Sequence, residues 1–358
     1  RPMTTAIGAV YSYGVPLILT NLVTLVILPK YDNQYNLPMM AETCLWFIAF
    51  SFVLLIIAVI GVWKVDKPET FEVLKLSEAG KKREEKQKVK LREMLAVLKD
   101  NRAMQMHIIT GVSDKLAQQT GSQQIINTLI NGVLIGSYVA SQMVNNVSLG
   151  VGIVFLFFGG FFIAKWGAKK TTVIWSWLSI AVAVVTILFC LFLGGPEGMK
   201  KIGVMGVPVI IYTVLTLLKS SASMVLTATN GARAADVTDY EYMRSGNYLP
   251  AVVSATYSFI DKAVSSLGSL VATGCVALVG YVNTVPQMGD KATWPIFWMG
   301  MFLMFGLPIL GWILNVISMK FYILDKEKMV EVQKTLAERK KEVEAMEAEA
   351  AKESSDEA

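Results

Sequence analysis

Histidine is all but missing from this chain, with His107 alone among 358 residues. Cysteine is nearly as scarce. Cys44, Cys190 and Cys275 fall in or beside three different apolar runs, at spacings that fit neither a disulfide framework nor a metal site. They read as small apolar residues. The sequence also lacks a nucleophile elbow, an HExxH helix, a phosphate-cradling GxxxxGK[ST] loop and a paired CxxC. Covalent and metal-assisted catalysis are therefore without a motif; the expectation is a non-enzyme with no catalytic, metal or cofactor site. His107 reads as an interfacial or packed residue before a proton relay. Charge is scarce too, at 17% of residues.

Apolar residues fill that space. They make up 54% of the chain, and the mean hydropathy is +0.49. They also segregate into long runs separated by short charged patches, which is the composition of a membrane protein surrounded by lipid. About 20 apolar residues cross a bilayer as a helix. Eight segments qualify: 4–29, 43–63, 103–138, 145–164, 172–194, 202–228, 250–282 and 294–321. The net charge of +5 lies mostly in loops beside these runs, so it carries topology information and gives no reason to expect a nucleic-acid partner.

Sorting the loops tests the count, because Lys and Arg gather on the cytoplasmic side. One set holds Arg1, the twelve basic residues of 64–102, Lys165, Lys169, Lys170, Arg233, Arg244 and a Lys-rich tail. The other holds only Lys30, Lys200, Lys201 and Lys291. Eight spans with both ends in the cytoplasm satisfy the rule, and the expected location is the plasma membrane. Within 64–102, Leu91, Met94, Leu95 and Leu98 recur at helical spacing against Lys90, Arg92, Lys99 and Arg102, which predicts an interfacial amphipathic helix. After residue 324 the chain reads as a solvated or disordered tail with little apolar face. The opening Arg1-Pro2-Met3 is neither an initiator methionine nor a signal peptide, so the expectation is a start inside a longer reading frame.

The informative residues are charges placed where charges are expensive. An ionisable group at mid-bilayer depth costs roughly 2.5 to 3.5 kcal/mol on insertion scales and persists where it pairs or lines water. Asp114 and Lys115 interrupt the third span, Lys219 the sixth, and Asp261 and Lys262 the seventh. Gln118, Gln119, Gln123, Gln124, Asn127 and Asn131 add to the polarity of the third. Neighbours on a helix point about 100° apart, so the Asp-Lys dipeptides are expected to pair between helices, as Asp114–Lys262 or Asp261–Lys115. A structural ion pair tying two helices is the plainer alternative. Hydroxyls on the sixth and seventh spans, Ser220 and Ser254 among them, serve close packing first and a polyol second.

Ala235-Asp236-Val237-Thr238-Asp239-Tyr240, then Arg244-Ser245-Gly246 and a span starting near Leu249, resembles the loop between helices 10 and 11 of the glycoside-pentoside-hexuronide:cation symporters, a branch of the major facilitator superfamily. Ala164-Lys165-Trp166-Gly167-Ala168-Lys169-Lys170 is similar to their helix 8–9 turn, Leu91 to Arg102 to the lead into helix 7, and Tyr322 to Lys328 to the exit from helix 12. The resemblance implies an all-α transmembrane fold with eight of an expected twelve spans present, numbered 5 to 12. It divides the chain into 1–63, the last two helices of the N-terminal bundle; 64–102, a cytoplasmic linker; 103–324, a six-helix C-terminal bundle; and 325–358, a charged cytoplasmic tail. It implies a monomeric secondary transporter, carrying a sugar or glycoside together with H+ or Na+ by rocking about a midplane site. Lys262 matches a lysine position on that family's helix 11, although Asp261 before it departs from the pattern. The candidate pathway is Asp114, Lys115, Gln118, Gln123, Asn127, Lys219, Asp261 and Lys262. The candidate cytoplasmic gate is Arg233, Asp236, Asp239 and Arg244, latching the halves through ion pairs together with Glu241. Two other classes stay open, a lipid or lysolipid transporter of the same superfamily and a truncated membrane protein that transports nothing.

Overall fold

A computed structural model describes residues 14–63, 98–245 and 250–338. Among them the chain is helical, without strands, and six helices are long and apolar enough to cross a membrane. In order the elements are α1 (Gly14–Tyr31), α2 (Leu37–Val62), α3 (Arg102–Gly121), α4 (Gln124–Leu134), α5 (Tyr138–Phe192), α6 (Val207–Ser245), α7 (Pro250–Ser265), α8 (Leu267–Leu278), α9 (Trp294–Phe321) and α10 (326–338). Asparagine and serine start three of them, each accepting an N–H of the first turn: Asn36 from Met39, Asn101 from Met104 and Ser137 from Ala140. Such caps satisfy donors that the helix itself leaves orphaned.

α5 is two helices in one. Gly167 takes φ 80° and ψ 159°, open to a residue without a Cβ, and there the helix folds back. Phe155 and Trp175, 20 residues apart, would lie about 30 Å apart along a straight helix. Their rings are 6.4 Å apart, and Phe162 meets Trp175 at 5.1 Å. The limbs 138–166 and 168–192 thus form an antiparallel hairpin. α6 packs along the first limb, where glycines remove the side chains that would hold it off. A Cβ on Gly159 would lie 2.7 Å from that of Ala228.

Several boundaries differ from those read in the sequence. The stretch 103–138 is broken at Ser122-Gln123 into α3 and α4, which follows from Gly121 and a polar run that gains little from continuing as one apolar rod. The stretch 250–282 bends at Ser266, where Ser265 and Ser266 turn their hydroxyls onto the carbonyls three residues back. Gly268 lets this bend approach the α3 terminus, since its Cβ would sit 2.9 Å from that of Gln119. α6 runs on to Ser245, so the stretch from Ala235 to Ser245, expected as a loop, is helical. The expected amphipathic helix 91–102 ends before Asn101, which caps α3; its residues 91–97 lie outside the described ones. The tail has an apolar face after all: Val332 is buried, and Met329 packs against the cluster that holds Tyr322 and Leu324. Arg1, Gly246, Leu249 and residues 339–358 also lie outside the described ones.

The two loop sets separate to opposite ends. Lys326 donates to the carbonyls of Ala164 and Lys165, Asn101 to Glu241 and Gln333 to Asp239, which gathers the basic turn, the end of α6 and α10 at one end. At the other end Lys30 pairs with Glu42, and Gly195 lies against Trp294. There Tyr281 donates to Asp290; burial and that bond push its hydroxyl pKa up.

The hairpin depends on Gly159 for its fit to α6. Gly159→Val forces overpacking that costs about 1–3 kcal/mol, and thermal unfolding in detergent should show a lowered midpoint, whereas Gly160→Val, which meets nothing within 4 Å, leaves it unchanged.

Candidate functional site

Polar residues that apolar periodicity leaves unexplained converge on one cavity of about 1310 Å³, walled by α1 and α2 on one side and α3, α4, α5, α6, α7 and α9 on the other. Ligand pockets for small molecules run to about 300–1,000 Å³, so a solute of sugar size fits with water around it. Of the residues singled out in the sequence, Asp114, Lys115, Gln118, Asn127, Lys219 and Asp261 line it. Gln123 and Lys262 do not. Gln123 turns back onto the Gln119 carbonyl, and Lys262 is exposed, about 100° around α7 from the buried Asp261. Gln124, which lines the cavity, takes the place expected for Gln123.

The pairing of these charges also differs. Neither Asp114–Lys262 nor Asp261–Lys115 forms; among the described residues the ion pairs are Lys30–Glu42, Lys200–Glu197, Arg244–Glu241 and Lys328–Glu331. Asp114 is held instead by α9, where Asn315 Nδ2 lies 3.0 Å from each carboxylate oxygen. Lys115 donates to Gln118 on its own helix at 3.3 Å. Lys219 places its ammonium 4.6 Å from the centre of the Phe305 ring, a cation–π contact that leaves its hydrogens toward the cavity.

The cavity floor is made by Tyr257 and Asn230, with the Asn230 amide donating to the Tyr257 hydroxyl at 3.1 Å. Below them lies Arg233, 1% exposed. It donates to Thr172 on the second limb of α5, to Thr229 at 3.1 Å and to Asn230 at 3.3 Å. Its Nε has no partner, and neither ring nitrogen of His107, stacked 4.8 Å from Tyr257, has one. His107 is thus packed, not interfacial, and fully buried.

Among the described residues, the groups expected to form the latch at the end of α6 make no ion pair with α1 or α2. Arg233 turns inward to hydroxyls, Asp236 makes no ion pair, Asp239 accepts from Gln333, and Arg244 pairs with Glu241 one turn before it on the same helix. Asn101 holds the buried Glu241 at 2.8 Å. All of these partners lie outside α1 and α2, so none joins the two walls of the cavity. The joining contacts sit at the opposite end: Asn21 and Asn146 exchange hydrogen bonds of 2.7 and 3.1 Å, Tyr35 meets Tyr138 edge-on at 5.4 Å, and the Tyr35 backbone N–H and carbonyl bond the side-chain amide of Gln287, each at 3.4 Å.

Sequence reasoning missed Asn315, Asn230, Tyr257 and the Asn21–Asn146 pair. Asn315 had a usable signal, a lone amide in an apolar run, which is costly at that depth. Tyr257 had none, since a tyrosine among small residues reads as packing.

Against known proteins, a family model described as MFS/sugar transport protein matches residues 4–326. No curated protein and no solved structure matches the chain.

The account of Arg233 is checked by Thr172→Val, which removes an acceptor from a buried guanidinium and is expected to cost about 1–3 kcal/mol. The thermal midpoint of the detergent-solubilised protein should fall, while Thr227→Val, at an exposed hydroxyl, should leave it in place.

Proposed function

The chain belongs to the MFS/sugar transport protein family, and from that premise we propose that it is a secondary transporter of a sugar or glycoside, coupled to a cation and working by alternating access. The observation that carries this reading is the cavity. It lies between two groups of helices, presents Asp114, Gln118, Asn127 and Asp261 to a solute, and is bridged at one end by α1–α5 contacts. Carboxylates and amides are the groups that hydrogen-bond a polyol, and the apolar share of the wall gives its ring faces a surface. An amphiphile would ask for a more apolar lining, which disfavours the lipid reading.

In this proposal the bent α5 counts as two spans and the pairs α3–α4 and α7–α8 as one each. The eight spans then correspond to helices 5 to 12 of the glycoside-pentoside-hexuronide:cation branch, with the basic end in the cytoplasm of a plasma-membrane protein that works as a monomer. The interrupted α3–α4 has the design expected of a solute site, because irregular backbone at membrane depth is tolerated where it lines a cavity. Rocking would part Asn21 from Asn146 and Tyr35 from Tyr138, while α6 and α5 stay packed around Gly159.

The test is counterflow. Proteoliposomes of the full-length protein are loaded with each member of a panel of unlabelled sugars, glycosides and uronates, and entry of the labelled compound is followed. One compound is expected to drive it, with Asp261→Asn or Gln118→Ala lowering the rate at least tenfold, about 1.4 kcal/mol. Silence across the panel, from protein shown to be folded and inserted, contradicts the proposal.

A further inference from the structure

Asn315 sits in a stretch of α9, Leu307 to Ile317, that is otherwise without a hydrogen-bonding side chain except the Trp312 indole. It is wholly buried. Its Nδ2 faces both oxygens of Asp114, and its Oδ1 has no partner. Gly311, one turn earlier, brings α9 onto α3; a Cβ there would lie 3.4 Å from the Ser113 carbonyl and 3.5 Å from Asp114 Oδ1. The helices have been allowed close enough for the amide and the carboxylate to meet.

An amide offers a donor on one side and an acceptor on the other, whereas a carboxyl offers acceptors alone when ionised and a donor as well when protonated. The observed arrangement, donor toward both oxygens, suits the ionised form. One proton on Asp114 makes the opposite arrangement the better one: a half-turn of the amide puts Oδ1 against the new O–H and carries Nδ2 to where the unpartnered Oδ1 had been. The pair therefore has two hydrogen-bonded arrangements that differ by a single proton, each leaving the outward atom of the amide without a partner. We propose that Asp114 is the proton-binding carboxyl of this transporter, and that Asn315 reads its protonation state by turning its amide.

This rests on the transporter reading of the cavity and names the coupling ion of that site. Asp114 lines the cavity, so its proton exchanges with the water that fills it. A metal ion would have to displace the donor already facing the carboxylate, while a proton asks only for a rotation. Arg233 from α6 and Tyr257 from α7 act electrostatically on Asp114; Lys115, Lys219 and Asp261 share the cavity lining with it, His107 lies two turns earlier on α3, and α9 presents the uncharged Asn315 amide. Arg233 matters most among them. Buried and without an ion-pair partner, it loses or gains a nearby counter-charge with each proton on Asp114. Its hold on Thr172 carries that change to the second limb of α5.

The experiment is pH-difference infrared spectroscopy of the full-length protein in lipid, following the carbonyl band of a protonated carboxyl. No solute is added, so the result stands or falls apart from the identity of any transported compound. Wild type is expected to show a band that grows as the pH falls. Asp114→Asn abolishes it, Asp261→Asn keeps it, and Asn315→Leu moves its midpoint by at least one pH unit, tenfold in proton affinity. If Asp114→Asn fails to fold, Asp114→Glu serves in its place, with the band retained at a displaced midpoint. A band that survives Asp114→Asn, that vanishes in Asp261→Asn instead, or that keeps its wild-type midpoint in Asp114→Glu overturns the assignment. An unmoved midpoint in a folded Asn315→Leu overturns the role of the amide.

Discussion

A polar group inside a bilayer has no water to turn to, and the structure is organised around where each one goes. Arg233 is the hardest case, a guanidinium with almost no exposure. Three acceptors on α5 and α6 take its hydrogens, and one of them, Asn230, also donates to Tyr257 at the cavity floor. Removing any member leaves a buried donor unpaired, at a cost of about 1–3 kcal/mol. The cluster therefore fixes α6 against the hairpin and α7 against α6. The cavity above exists because these helices cannot close further without burying Asp114, Lys219 and Asp261 together in a dry core.

The same constraint explains which contacts are strong and which are spare. Within α3 to α10 the helices meet through glycines and buried hydrogen bonds such as those of Arg233 and Glu241. Between that body and α1–α2 the contacts of the described residues gather at one end: the asparagine pair, Thr20 with Gln142, Tyr35 with Tyr138 and Gln287, and a small apolar cluster of Ile27, Leu28 and Met39 around Tyr138. α2 buries little but Met39, and its remaining length is an apolar surface suited to lipid. Strong joints within one group of helices and weak ones between groups let the groups move as units.

Much of this was legible in the sequence. Long apolar runs disclosed the spans, and the asymmetry of Lys and Arg separated the two ends that contacts such as Lys326 with Ala164 later brought together. Charges at membrane depth led to Asp114, Lys219 and Asp261. What stayed hidden was direction. Lys262 and Asp261 are neighbours in sequence, yet one faces outward and one faces the cavity, because a helix turns about 100° per residue and apolar runs with hydroxyls on all sides give no phase. Pairing was hidden too: charge sought charge in the sequence reading, while in the fold Asp114 found an amide and Lys219 an aromatic ring. Those partners carry no charge and so left no mark on a charge pattern. The length of α6 was misread because its last turns are charged, although Asn101 and Gln333 satisfy them as helix.

The central claim is that α1 and α2 part from the other helices around the cavity. It is tested most directly by spin labels on Thr20 and Gln142, which meet across the closed end at 3.5 Å, with Cys44, Cys190 and Cys275 replaced by alanine. Distance distributions in lipid should show a close and a separated population, whose ratio shifts when a solute that drives counterflow is added. One unchanging close distance, with every solute and at every pH, would contradict the account.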